Sequence, residues 1–280
     1  VQILEESLFK AHRRLEDKNM KFCSLYSGSS GNSIFVASKN SRVLIDAGLP
    51  GKHIEKALSD IGENPNDIDG IFVTHEHIDH IKGVGVLSRK YDIPIYANNL
   101  TWNSMMTNIG NIKEHNIKVI DEKVISIKDL DVIGYRIPHD AVMPSGYSIM
   151  CNNKKVCVAT DLGYFSEEVS HQLKDADVIL LESNHDVEML KFGPYPYNLK
   201  RRILSDVGHL SNEDCGKAIV DIMSNKKKTI VLGHLSKTNN YPELAFKTVI
   251  NVLNSNGIDT EKDIIVTMAK RDVPSVYLDF

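Results

Sequence analysis

Cysteine is scarce and unpatterned in this chain. Cys23, Cys151, Cys157 and Cys215 are scattered, with no CxxC pair, which excludes a disulfide framework and argues against thiolate zinc ligands. Four small buried hydrophobes in a reducing compartment are the expectation. Long apolar runs are missing too. The longest are of the Val178-Ile179-Leu180-Leu181 kind, far below the roughly 18 residues that cross a bilayer, and the amino end carries no apolar signal core. Both absences predict a soluble, cytoplasmic protein with no membrane partner. Neither sign of charge dominates. Lys+Arg 33 against Asp+Glu 37 leaves a net −4, which excludes a uniformly basic sleeve while permitting a local basic patch. No repeat, low-complexity tract or Pro/Gly/Ser-rich linker divides the chain. What remains is an ordinary globular mixture, 42% hydrophobic and 25% charged over 280 residues, long enough to bury a large core.

Residues 1–19 place Ile3, Leu4, Leu8, Ala11 and Leu15 at helical spacing. Met20 then opens MKFCSLYSGSSGNS, which reads as a natural start. Residues 1–19 are therefore expected to be an extension, and 20–280 a single domain. Phe22–Tyr26, Ile34–Ala37 and Arg42–Asp46 are compact β-type runs separated by turn residues, predicting a meander. Gly51–Ile61 has helical periodicity, Ile71–Val73 reads as a buried strand, Gly83–Tyr91 as a helix and Pro94–Ala97 as a strand. A second strand-rich stretch covers 118–120, 124–127, 131–137, 146–151 and 156–159, and helices then flank Val178–Leu181 and Thr229–Leu232. Two strand-rich halves, each followed by helices, predict two sheets packed face to face with helices outside.

The strongest chemical signal is Thr74-His75-Glu76-His77-Ile78-Asp79-His80, directly after a buried strand. His75 and His77 alternate by two, so a strand end can aim both imidazoles at one metal ion. Asp79 and His80 start the next element and can reach a second. His139, Asp161 and His234 each stand just past a predicted strand. Singly, each reads as a turn residue; together their strand-end positions point to a dinuclear site. Imidazole and carboxylate ligands suit Zn²⁺ and, with waters, Mn²⁺. Two such cations about 3.5–4 Å apart would give a shared hydroxide at neutral pH and stabilise the oxygens of an in-line displacement.

HEHIDH followed by His139, Asp161 and His234 in that order resembles the metallo-β-lactamase superfamily over about residues 20–280. The resemblance implies an α/β fold, a four-layer αββα sandwich. It also implies His75, His77 and His139 on one ion, Asp79, His80 and His234 on the other, and Asp161 bridging both. Later motifs choose the branch. Glu182-Ser183-Asn184-His185-Asp186 and Gly208-His209-Leu210-Ser211-Asn212-Glu213-Asp214 precede Gly233-His234-Leu235-Ser236. That order resembles the transfer-RNA 3′-processing nucleases, and more closely the small bacterial YycJ/WalJ-like proteins, which begin with a similar SGSSGN turn. On that resemblance His209 approaches the scissile phosphate as a proton or hydrogen-bond donor. Asp79 both binds metal and orients the hydroxide, and His185 lies at the site entrance. His185 and Ser211 are expected to contact the substrate, Ser211 being alternatively a helix N-cap with Asp214 at the capping-box position.

Charge distribution favours a phosphate substrate. Val187–Lys237 holds nine basic and five acidic residues, a local +4. Lys200, Arg201 and Arg202, on a predicted helix leading to His209, are expected to hold a phosphate backbone. Tyr195 and Tyr197 are candidates to stack a terminal base, and Lys226–Lys228 reads as a solvated turn. His139 and Asp161 stand too close in the chain for the long arm of the transfer-RNA nucleases, and Asp161 and His234 too close for a β-CASP insertion. The resemblance thus implies a bare nuclease core acting 5′→3′ on DNA with a free 5′ end. An RNA-processing nuclease and a thioester or lactone hydrolase are the alternatives. The sequence sets no oligomeric state.

Overall fold

The computed structural model describes residues 20–120 and 124–280; the expected extension, 1–19, lies outside them. The first sheet has the strand order β14-β1-β2-β3-β4-β5-β6 and the second β13-β12-β11-β10-β9-β8-β7. In the first, β1 (Lys21–Tyr26), β2 (Ser33–Ala37) and β3 (Arg42–Ile45) form the antiparallel meander. β4 (Gly70–Phe72), β5 (Ile95–Ala97) and β6 (Ile117–Val119) then add in parallel, and β14 (Leu278–Asp279) closes the edge. In the second, β7 (Ile125–Ile127), β8 (Leu130–Arg136), β9 (Ser145–Cys151) and β10 (Lys154–Ala159) are antiparallel. β11 (Val178–Glu182), β12 (Lys228–Gly233) and β13 (Ile264–Met268) continue from β10 in parallel.

The period of two along each strand builds the layers. Phe22, Ile34, Val36, Val158, Val178 and Leu180 face the space between the sheets. Their chain neighbours Cys23, Leu25 and Phe35 face the helices of the first sheet, α1 (Gly51–Asp60), α3 (Val84–Tyr91) and α4 (Asn99–Ile109). Cys157, Ala159, Ile179 and Leu181 face those of the second, α5 (Glu167–Leu173), α8 (Asn212–Asp221) and α9 (Pro242–Ser255). Ile54, Ala57 and Leu58 of α1 are buried at the i, i+3, i+4 spacing read from the sequence. This is the predicted αββα sandwich. The four cysteines are free and buried.

Two elements escape periodicity. α4 reads NLTWNSMMTNI, without a charged face to contrast with a buried one; its start is set by Asn98, whose side chain accepts from Thr101 N–H at 2.9 Å. β13 is a single edge strand after a long helix. One further correction concerns Lys228. It is fully buried at the start of β12, its ammonium donating to the Lys174 carbonyl, rather than lying in a solvated turn.

The topology sends several strand ends to one rim. β1 and β3 run with β4, and β8 runs with β10 through β12. The residues following them therefore gather at the same edge of the sandwich.

Candidate metal centre

His75 and His77 follow β4, and His77 is the N-cap of the one-turn helix α2 (Ile78–Ile81), which carries Asp79 and His80. The SGSSGN turn after β1 fixes this segment. Asn32 N–H donates to the Asp79 carbonyl at 2.8 Å, its side chain approaches His80 Nε2 at 3.1 Å, and its carbonyl accepts from Gly48 N–H at 2.8 Å. A side chain at Gly48 would collide with the Asp79 carbonyl, so only glycine fits there. His139 follows β8, Asp161 follows β10 and His234 follows β12. Asp161 and His234, like Asp46 after β3, hold left-handed backbone at φ 62°, 54° and 61°. Such conformations are costly for non-glycine residues and concentrate at functional sites.

The seven residues of the predicted ligand set converge. Ligand atoms of His75, His77 and His139 lie within 4.8 Å of one another, as do those of Asp79, His80 and His234, and of His75, His80 and Asp161. Asp161 sits between the two groups. Its Oδ1 is 3.7 Å from His139 Nε2 and 3.5 Å from His234 Nε2, while its Oδ2 is 3.4 Å from His80 Nε2.

Three imidazoles are held by their far nitrogens. His80 Nδ1 donates to Asp46 Oδ2 at 2.7 Å, His139 Nδ1 to the Gly208 carbonyl at 3.2 Å, and His234 Nδ1 to Glu182 Oε1 at 2.7 Å. Each bond turns Nε2 inward, the arrangement by which an acceptor behind the ring orients a metal-ligating histidine. Asp161 Oδ2 and His234 Nε2 are buried without a hydrogen-bond partner, which is costly unless a cation meets them. The donor set, imidazoles with carboxylates, fits divalent metal ions. Burial is the main cause holding the His75 imidazole well below its ordinary value. Asp161 stays ionised because the surrounding imidazoles, His234 and His80 foremost, outweigh the upward push of burial.

A fourth group, Asp161, Glu182, His209 and His234, is equally close, but Glu182 is already saturated. Its Oε1 accepts from His234 Nδ1 and from His209 Nδ1 at 2.8 Å; its Oε2 accepts from Leu162 N–H at 2.7 Å and Leu210 N–H at 3.2 Å. Four donors fill a carboxylate's lone pairs, so Glu182 organises the site instead of ligating. Burial alone would lower the His209 imidazole; the Glu182 carboxylate against it prevails and raises it to about 9. His209 is thereby a cationic donor at the rim.

Asp46, a carboxylate just past β3, carries the same strand-end signal as Asp161 but belongs to no histidine motif. The motif around Glu182 does not reveal that its carboxylate holds two histidines. Of the expected substrate residues, Ser211 caps α8: its Oγ accepts from Asp214 N–H at 3.1 Å and donates to Asp214 Oδ2 at 2.7 Å. His185 is buried with both ring nitrogens unpartnered. Lys200, Arg201 and Arg202 lie on α7 (Tyr197–Ile203). Arg202 pairs bidentately with Asp140 beside His139, Arg201 stands 5.9 Å over the exposed Tyr197 ring, and Lys200 donates to the Lys191 carbonyl. The basic segment is not one patch: Lys226 pairs with Asp177 at the opposite edge of the second sheet.

Among the described residues no helix is long and apolar enough to cross a membrane. The profile described as metallo-beta-lactamase superfamily matches residues 26–234. The chain is 46% identical over 241 residues to exodeoxyribonuclease YycJ of Bacillus anthracis, covering 85% of this chain and 90% of that protein. It is 43% identical over 242 residues to exodeoxyribonuclease WalJ of Streptococcus pneumoniae, with the same coverage. The metallo-beta-lactamase fold protein YhfI of Bacillus subtilis superposes with a TM-score of 0.66 at 16% identity, over 92% of this chain and 99% of that one. With its αββα layers and its histidine-carboxylate rim, the chain belongs to the metallo-beta-lactamase superfamily.

Proposed function

We propose that this protein is a metal-dependent exodeoxyribonuclease that hydrolyses phosphodiester bonds of DNA from a 5′ end with two divalent ions, Zn²⁺ or Mn²⁺. The observation that carries this is the His209–Glu182 pair beside a seven-residue ligand set, in a chain 46% identical to a protein named an exodeoxyribonuclease. His75, His77 and His139 would hold one ion, Asp79, His80 and His234 the other, and Asp161 both. Divalent ions there supply Lewis acidity: they lower the pKa of water and offset charge on the attacking and departing oxygens.

The remaining steps belong to side chains. Asp79, a quarter exposed, faces the rim where water enters and can accept a proton from it. Glu182 fixes the direction of both rings, His209 and His234. His209 then presents Nε2–H to the leaving 3′-oxygen, donating a hydrogen bond or the proton as that oxygen departs. Arg202, neutralised by Asp140, is a positioning group for the His139 loop; Arg201 is the freer cation for the backbone. Four free thiols accord with a cytoplasmic setting.

Digestion of 5′- and 3′-end-labelled DNA and RNA, single- and double-stranded, with Mn²⁺, Zn²⁺ or chelator tests the reading. Chelator-sensitive release of nucleotides from the 5′ end of DNA is expected. Preferential attack on RNA, or turnover of a thioester in place of DNA, would overturn it.

A further inference from the structure

The parallel strands β10, β11 and β12 deliver Asp161, Glu182 and His234 to the rim in spatial order, and β13 is the next strand in that series. Adjacent strands are about 4.8 Å apart, so the residues that follow β13 stand one step beyond His234. Those residues are Ala269, Lys270 and Arg271. They line a cleft of about 730 Å³ together with Lys237, Tyr241 and Phe246. Its inner end is closed by Leu235 and by Ser27, whose Oγ accepts from His234 N–H at 2.8 Å. The cleft and the metal centre therefore share a boundary.

Its chemistry is lopsided. Lys237, Lys270 and Arg271 line it and no carboxylate does. Lys237 and Lys270 are exposed and make no ion pair among the described residues. Arg271 is braced by donating to the Leu235 carbonyl, and its Nη1 is buried over Gly28 without a hydrogen-bond partner, so its guanidinium closes the floor of the cleft. Between the cations, Tyr241 and Phe246 are 48% and 38% exposed. A mostly apolar groove edged by cations and carrying exposed aromatic faces suits a single nucleic-acid strand: cations track phosphates and rings stack bases without regard to sequence. The volume falls in the range of about 300–1,000 Å³ that encloses small ligands, enough for one or two nucleotides and too small for a duplex.

We propose that this cleft holds a single-stranded stretch of the DNA substrate adjoining the scissile phosphate, with a base against Tyr241 and phosphates against Lys237 and Lys270. The assignment rests on the deoxyribonuclease reading. It gives the substrate strand two flanks, α7 on one side of the metal centre and the β13 side on the other.

The test uses the Mn²⁺-loaded enzyme, the double variant Lys237→Gln/Lys270→Gln and the single variant Tyr241→Ala. Each is measured on a single-stranded oligodeoxynucleotide, a blunt duplex and bis(p-nitrophenyl) phosphate. The double variant should lower the salt slope of log K on single strands by about 1.4, about 0.7 per lost phosphate contact. Tyr241→Ala should weaken single-strand binding by roughly 5-fold to 100-fold, the range for one lost stack. Turnover of the small diester should stay within about twofold, since it reaches only the metal centre. Unchanged slope and affinity in variants of an enzyme that degrades DNA would overturn the cleft alone. Equal losses on the small diester would show disturbance of His234 and overturn it too, as would a larger loss on the duplex. A wild-type enzyme that turns over the small diester but neither binds nor degrades DNA would overturn the deoxyribonuclease reading together with the cleft.

Discussion

Gly208–Ser211 and Gly233–Ser236 spell the same four residues, and both histidines send Nδ1 to the same oxygen, Glu182 Oε1. Their surroundings separate them. His234 follows β12 in left-handed backbone, its side chain 2% exposed and its Nε2 aimed at Asp161 from 3.5 Å. His209 stands in the turn before α8, its side chain 18% exposed, with Nδ1 its nearest atom to Asp161 at 3.8 Å. One sequence thus serves an inward ligand and an outward donor, and the element that precedes it decides which.

His234→Ala should show the largest effect. Elemental analysis should find metal lost, and hydrolysis of every substrate should fall by more than the roughly 100-fold that losing a hydrogen-bond partner behind a ligand costs. Retention of two ions with normal turnover would erase the distinction. His209→Ala should keep its metal and its fold and lose about 10²–10⁴-fold in kcat on DNA. The loss should be smaller on bis(p-nitrophenyl) phosphate, whose p-nitrophenolate leaves without a proton. Metal loss here, or equal losses on the two substrates, would make the two histidines equivalent. Glu182→Gln touches both segments at once. It should lower metal affinity by about 10-fold to 100-fold and reduce kcat on DNA more than on the activated diester; titration with Mn²⁺ separates the two components. Arg201→Gln should give the smallest change, a drop of roughly 0.7–0.9 in the salt slope of log K with little change on the small diester. An unaltered slope would put Arg201 on a solvated face.

Much of this was legible before any coordinates. Compact apolar runs bounded by turn residues mark most strands of both sheets, because a strand buried on both faces, as Phe22 and Cys23 of β1 illustrate, carries apolar side chains at successive positions. HEHIDH and the strand-end positions of His139, Asp161 and His234 picked out residues that the structure brings together. The carboxylates behind the histidines were harder to see. Glu182 serves His209 and His234, and Asp46 serves His80, only because strands distant in sequence are neighbours in space. The same limit applies to charge: Lys200, Arg201 and Arg202 are consecutive, but Asp140, in another loop, claims Arg202. Neither the cleft beside β13 nor its three cations form a motif, since their residues come from separate loops joined by strand order.

The two sheets contribute separate halves of the centre: His75, His77, Asp79 and His80 follow a strand of the first, His139, Asp161 and His234 strands of the second. During synthesis at about 5–20 residues per second, the first half is made well before the last histidine, and it holds only four of the seven residues that converge at the rim. The centre is therefore assembled late: it closes only when β12 has docked beside β11 and the two sheets have met.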